Sequence, residues 1–353
     1  MIEGITTYGS DELIKQLQIC DDPVFLLTIA STETSKIEGI SGAGASAELT
    51  EFTPAADVEF LVLGDVHCTD TAAETVVDGA VAPTPARLTK AALQLSNIPF
   101  VIVDAGSKIK PDVEYISLGK EYGRDIRTGK GVLNPLEIFE NAKDLGSELS
   151  QRHEMLIIAE SIPAGTTTAL GVLKALGYDA NEKVSGSMPH NPHNLKSKTV
   201  NEGLENAKIK PGQADAIQAI GAVGDPTLPA IAGFVIGSNI PIILAGGTQM
   251  AAACAIIKSL QPSFDFSRIN IATTIFVAGD ETADLFGILN QIDENITVNV
   301  VDPQFEKSSH EGLKNYNKGF VKEGAGAGGA MFCALALGAS QENLRKKIEK
   351  ICK

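Results

Sequence analysis

Ile98-Pro99-Phe100-Val101-Ile102-Val103-Asp104-Ala105-Gly106 carries the pattern that decides the fold. Phe100 to Val103 are apolar without interruption, and the run ends in Asp104 and Gly106. A strand with one wet face alternates apolar and polar side chains, whereas a strand covered on both faces has no such need. The stretch therefore predicts a strand with helices above and below it. Just upstream, Thr84 caps a helix with Pro85 at its first position, reaching about Ser96.

Outward from this stretch the pattern repeats. Segments 23–30, 59–64, 114–118, 154–158, 240–244, 269–277 and 296–301 are further runs of strand length. Helical signals fall between them. Ser10 opens a helix over 10–20, Asn134-Pro135-Leu136-Glu137 starts another, and 166–176 is closed by Gly177. Residues 185–198 read as a long loop, followed by helices to about 238. Further helices are expected over 247–260, after Asp280 to 292, and from a Ser340 cap to the end. Short apolar runs alternating with helices are the signature of strand-helix-strand units. The fold class is α/β, with a Rossmann-like, mostly parallel sheet and helices on both faces.

The chain has 353 residues, enough for one large domain or two unequal ones. An apolar fraction of 44% against 21% charged residues is that of a packed protein, not a disordered one. Acids outnumber bases 44 to 29, giving −15, which argues against nucleic acid as a partner. Met1-Ile2-Glu3-Gly4 shows no basic or apolar leader pattern, and no apolar run nears the ~18 residues of a membrane span. The five cysteines, Cys20, Cys68, Cys254, Cys333 and Cys352, form no C-x-x-C pair. They read as reduced thiols of a cytoplasmic protein.

Asp65, Asp104, Glu160, Asp280 and Asp302 each follow an apolar run. Open α/β sheets bind ligands beyond the carboxyl ends of their strands, so these acids and the nearby Gly106 and Gly246-Gly247 mark candidate positions. The plainer reading is that polar residues simply resume where strands end. Ser41-Gly42-Ala43-Gly44-Ala45-Ser46 is a small-residue loop with freedom to move. No P-loop, nucleophile elbow or H-E-x-x-H motif is present. His190 and His193 lack a third ligand, so no metal is expected there. Asp65, His67 and Cys68 read as structural, since neighbours on an extended chain point opposite ways.

Val321-Lys322-Glu323-Gly324-Ala325-Gly326-Ala327-Gly328-Gly329-Ala330 sets one carboxylate before residues with little or no side chain. Gly324, Gly326 and Gly329 fit G-x-G-x-x-G, but only a helical tail follows, so the dinucleotide reading fails. Two readings remain: a ligand-facing loop at a helix start, or close helix packing through small residues. Glu160-Ser161-Ile162-Pro163-Ala164-Gly165-Thr166-Thr167-Thr168 links a strand to a helix and offers hydroxyls and free amides to a phosphate. Lys196 and Lys198 follow in the next loop.

These motifs together resemble the nicotinate-nucleotide–dimethylbenzimidazole phosphoribosyltransferases, and more closely their divergent archaeal branch. Asp65-Val66-His67 with Pro85-Ala86-Arg87-Leu88-Thr89 is similar to the family's first strand-Asp-His region and its Pro-x-x-Val-Thr. Residues 159–167 are similar to its Gly-Glu-Met-Gly-Ile-Gly-Asn-Thr-Thr run. The 321–327 stretch is similar to its Leu-Gly-Glu-Gly-Ser-Gly-Ala motif. Ser161-Ile162-Pro163-Ala164 replaces two family glycines, and Ala82 stands where the family has Ser.

The resemblance implies attack of a benzimidazole-type base on C1′ of nicotinate mononucleotide, releasing nicotinate, with no cofactor or metal. It implies Glu323 as the catalytic base. The substrate-binding candidates are Glu160, Gly165, Thr166, Thr167, Lys196, Lys198, Gly246, Gly247, Asp280, Gly324 and Gly326. It further implies a Rossmann-like domain over 22–305, a small helical subdomain from 1–21 with 306–353, and a homodimer. Two alternatives stay open: a non-catalytic nucleotide-binding protein on the same fold, and the same transfer to a different base.

Overall fold

A parallel sheet with one antiparallel edge strand forms the centre of the computed structural model, which describes all residues except 1, 45, 47, 71–73 and 78. Its strands, with those of a separate hairpin, are β1 Ile5–Tyr8, β2 Pro23–Ala30, β3 Glu74–Val77, β4 Ala80–Pro83, β5 Phe100–Gly106, β6 Ile116–Ser117, β7 Met155–Ser161, β8 Ile242–Ala245, β9 Ile269–Thr274 and β10 Thr297–Val301. The sheet order is β1-β10-β9-β8-β7-β2-β5-β6, and β3 pairs only with β4. All pairs in the large sheet are parallel except β1 with β10. The helices are α1 Glu12–Ile19, α2 Thr53–Leu63, α3 Pro85–Ser96, α4 Pro135–Leu149, α5 Gly165–Leu176, α6 His193–Ala207 and α7 Ala216–Val223. They continue with α8 Thr227–Gly237, α9 Thr248–Leu260, α10 Ile275–Ala278, α11 Leu285–Ile292, α12 Glu311–Lys314, α13 Ala327–Ala336 and α14 Gln341–Cys352.

The non-alternating runs have the cause expected of them. Successive side chains of a strand point to opposite faces. Val24 and Leu26, Leu156 and Ile158, and Ile242 and Leu244 enter one apolar cluster, with α4, α5, α7, α8, α9 and α11. Their neighbours Phe25 and Leu27, Ile157 and Ala159, and Ile243 and Ala245 enter the other, with α1, α2, α3, α13 and α14. Both faces are covered, so both phases of each strand are apolar.

Three expectations are corrected. Segment 59–64 is the end of helix α2, not a strand: Pro54 sits in its first turn and Gly64, at φ 85°, closes it. The loop over 185–198 stops early, because α6 begins at His193. The strand over 269–277 ends at Thr274, where the chain turns into α10. The terminal segments pack against the main sheet. β1 is an edge strand of the main sheet, and α13 lies on β8, β9 and β10 because its apolar side chains are that face's cover. Met331, Phe332 and Leu335 are buried there, each contributing about 1.5–3 kcal/mol. No helix among the described residues is long and apolar enough to cross a membrane.

Candidate active site

The strand order reverses between β2 and β7. From β2 the sheet runs through β5 to β6 on one side, and through β7, β8 and β9 to β10 on the other. At such a switch point the crossovers diverge and open a crevice beyond the strand ends. A pocket lies there, lined by 160–166 at the end of β7 and beyond, 247–249 at the start of α9, 185–188, Asp57 of α2, Thr84-Pro85, and 321–325. Ser41 and Ala43 of the small-residue loop also line it, and Gly42 N donates to Ser187 Oγ at 3.0 Å. Ala45 of that loop lies outside the described residues.

Glu323 is half-buried in this wall. The backbone around it is strained: Val321, Lys322, Gly324, Ala325 and Gly326 have φ of 63°, 54°, 148°, 48° and 69°. A left-handed conformation is an outlier for β-branched valine, and each non-glycine case costs of order 1–3 kcal/mol. Tertiary bonds hold the loop. Val321 N donates to Ser187 O (2.9 Å), Thr274 Oγ1 to Lys322 O (2.7 Å) and Thr89 Oγ1 to Ala325 O (2.8 Å). The result aims the amides of Gly324 and Gly328 at Glu323 Oε1, at 3.1 and 3.0 Å. Oε2 lies 3.4 Å from Thr273 Oγ1. Burial pushes this carboxyl up to about 7, while the amides pull it back. A carboxyl poised near neutrality in a pocket wall suits proton abstraction.

Three more buried acids lie close by. Burial, reinforced by the charges of Asp225 and Glu323, pushes Glu160 up to about 8, so it carries a proton at neutral pH. Burial raises Asp57 to about 6, against donation from Thr84 Oγ1 (2.6 Å) and Ser161 Oγ (2.8 Å). Burial also raises Asp225, which accepts bonds from the Thr168 and Thr227 hydroxyls. No cluster among the described residues has the makings of a metal site.

The other end of the pocket is rich in donors. Ala164 takes a left-handed φ of 64° ahead of α5, turning the helix start toward the pocket. Such a start presents free amides and a positive dipole end. Lys196, fully buried on α6, donates to Thr166 Oγ1 (3.0 Å) and Ser185 O (2.6 Å). Burial, with Lys322 nearby, lowers its ammonium to about 7. Lys322 donates to Asp280 Oδ2 at 2.6 Å. Burial works to raise Asp280, but Lys322, Thr282 and Ser185 outweigh it and hold that carboxyl below its usual range.

Of the expected residues, Glu323, Glu160, Gly165, Thr166, Gly247 and Gly324 line the pocket. Lys196 and Asp280 stand directly behind it, bonded to lining residues. Four do not belong. Lys198 is exposed, because on a helix it points away from Lys196 two residues earlier. Thr167 is buried outside the lining, and its amide donates to Ala164 O. Gly246 lies behind Gly247, its amide on Ala272 O. Gly326 is a packing residue: a Cβ there would overlap Ala159 and come within 2.8 Å of Phe25. Sequence reasoning missed Asp57, Ser185, Lys322 and Gln249. Asp57 lies just ahead of the segment read as a strand and in no quoted motif; Ser185 and Gln249 carry no local signal, and Lys322 was quoted only as the neighbour of Glu323.

His193 Nε2 lies 2.6 Å from Thr282 O, a structural contact. The Asp65 to Cys68 turn is structural too. Glu59 accepts from His67 N, Cys68 N and Asp112 N at 2.6–2.9 Å, and burial with Glu59 nearby pushes the Cys68 thiol up to about 12.

No family model matches the chain. Among solved structures, it is similar to a nicotinate-nucleotide-dimethylbenzimidazole phosphoribosyltransferase from Thermus thermophilus, with a TM-score of 0.57 and 17% identity over 94% of this chain and 83% of that one. A structure of CobT from the same organism gives 0.56 and 16%, over 99% and 93%. At these identities the likeness is one of fold. Sequence relatives are much nearer. A UPF0284 protein of Methanothermobacter thermautotrophicus is 52% identical over 100% of this chain and 98% of its own length. A UPF0284 protein of Saccharolobus islandicus is 41% identical over 98% and 95%. The chain belongs to the UPF0284 family, on the fold of the nicotinate-nucleotide-dimethylbenzimidazole phosphoribosyltransferases.

Proposed function

We propose that this protein transfers a phosphoribosyl group from nicotinate mononucleotide to a benzimidazole-type base, with Glu323 as the general base. The observation that carries the reading is a carboxylate poised near pH 7 opposite a donor-rich, lysine-flanked end of one pocket. An imino nitrogen of the base attacks C1′. The bond from C1′ to the pyridinium nitrogen breaks, and its electron pair neutralises that nitrogen, so nicotinate leaves without protonation. The attacking ring becomes cationic as it bonds, and its N–H proton passes to Glu323. Attack opposite the leaving group inverts C1′ and yields an α-riboside 5′-phosphate. The start of α5, Thr166 and Lys196 would meet the phosphate. Protonated Glu160 would donate to a ribose oxygen. The fold likeness to CobT supports the same reaction class.

The test is incubation with nicotinate mononucleotide and a panel of benzimidazoles and purines, following free nicotinate and new riboside phosphate by chromatography. Base-dependent nicotinate release is expected. Binding of the nucleotide without release under any base would overturn the transferase reading.

A further inference from the structure

We propose that Lys322 is a specificity-determining residue, and that with Lys196 it makes the donor-rich end of the pocket a two-lysine site for a phosphate monoester. The inference rests on the transferase reading only for which substrate carries that phosphate.

Both ammonium groups are buried, and one short chain of bonds joins them. Lys196 Nζ donates to Ser185 O, Ser185 Oγ donates to Asp280 Oδ2 at 2.9 Å, and Lys322 Nζ donates to that same oxygen. An ammonium has three protons to give. Lys196 uses two of its protons on Thr166 and Ser185, and Lys322 uses one on Asp280. The two groups thus share one carboxylate, and protons on both are left without an acceptor. An anion accepting those protons would also hold Lys196 in its charged form against the burial that lowers it. A further donor stands on the same wall. Gln249 is buried against Gly165 at the start of α5, and its Nε2 has no partner. A phosphate dianion accepts from all of these at once.

The backbone makes Lys322 the informative member. It adopts φ 54°, where glycine would be at ease and lysine is strained. Strain at a ligand-facing position is characteristic of a residue held there for its head group. It also stands directly before Glu323, so an anion on Lys322 anchors the loop that carries the general base.

The experiment is calorimetric titration of the full chain with inorganic phosphate at constant ionic strength. The variants are Lys322→Met, Lys322→Arg and the pair Lys322→Met with Asp280→Asn, which leaves no buried carboxylate without its cation. Thermal unfolding checks the fold of each. Both Met-bearing variants are expected to bind phosphate about 10- to 100-fold more weakly, the loss of a charged hydrogen bond, while Lys322→Arg retains most of the affinity. Unchanged affinity in the folded double variant would overturn the inference, as would failure of the unaltered protein to bind phosphate. Because the probe is not a transferase substrate, phosphate binding that depends on Lys322 stands even if no nicotinate is ever released. Transfer activity with phosphate binding indifferent to Lys322 removes this inference alone.

Discussion

Replacing Glu323 by Gln should move activity and stability in opposite directions, and both magnitudes follow from one property. Burial puts the folded-state carboxyl at about 7 against an ordinary value of 4.5. As a general base it works only when ionised, roughly one-tenth of the time at pH 6 and nine-tenths at pH 8. Nicotinate release at limiting nucleotide should therefore rise about tenfold over that interval and then level off. Glu323→Gln should lower turnover by about 10²- to 10⁴-fold and abolish the rise. The glutamine still accepts from Gly324 and Gly328, so the loop keeps its bonds. Stability runs the other way. The folded pKa is raised, so as pH climbs from 4.5 to 7 the unfolded chain gives up a proton that the folded chain keeps. Stability falls through that window by at most (7 − 4.5) × ~1.36, or about 3 kcal/mol. The variant lacks this loss and should melt higher than the parent at pH 8. Chromatographic rates and thermal unfolding between pH 5 and 9 check both halves. A variant within about threefold of the parent, or a parent profile flat from pH 6 to 8, would refute the reasoning.

Other consequences are as direct. Glu160 is raised further, to about 8, so Glu160→Gln should leave stability near pH 5 unchanged and remove a decline between pH 4.5 and 8, read by urea unfolding at several pH values. A variant that is less stable than the parent at pH 8 would argue that Glu160 is ionised. Ala164→Gly should stabilise by up to about 1 kcal/mol, because the left-handed turn at φ 64° strains alanine and glycine's extra unfolded-state freedom offsets only part of the relief. A lower melting temperature would contradict the strain. Lys196→Met should raise KM for the nucleotide about tenfold or more, whereas exposed Lys198→Ala should leave KM and melting temperature as they are. Equal effects of the two substitutions would mean that α6 does not present Lys196 to the pocket.

Much of the fold was legible because burial on two faces writes itself locally. Uninterrupted apolar runs such as Phe100 to Val103 are stable as strands in water only if both sides are covered. The helix caps at Thr84 and Ser340 were legible for the same reason, since a cap satisfies amides within three residues of itself. Where two local signals competed, the reading failed. Phe60 to Leu63 are apolar enough for a strand, and only Pro54 upstream and Gly64 at the end mark the helix.

By itself, then, the sequence determined an α/β sheet, and it singled out Glu323, Glu160 and the turn at Gly165-Thr166, each of which sits beside glycine or helix-start signals. Only the tertiary structure decided which neighbours share the site. The strand order brings β7 beside β2 and sets α2, the start of α5 and the 321–325 loop around one crevice. That is how Asp57 meets Ser161 across 104 residues and Lys322 meets Asp280 across 42. It also separated Lys196 from Lys198 and Gly324 from Gly326, pairs that look alike in the chain. The physical reason is range. Caps, turns and burial periodicity act over a few residues, whereas a carboxyl's pKa and an ammonium's partners depend on groups brought near only when the sheet has closed.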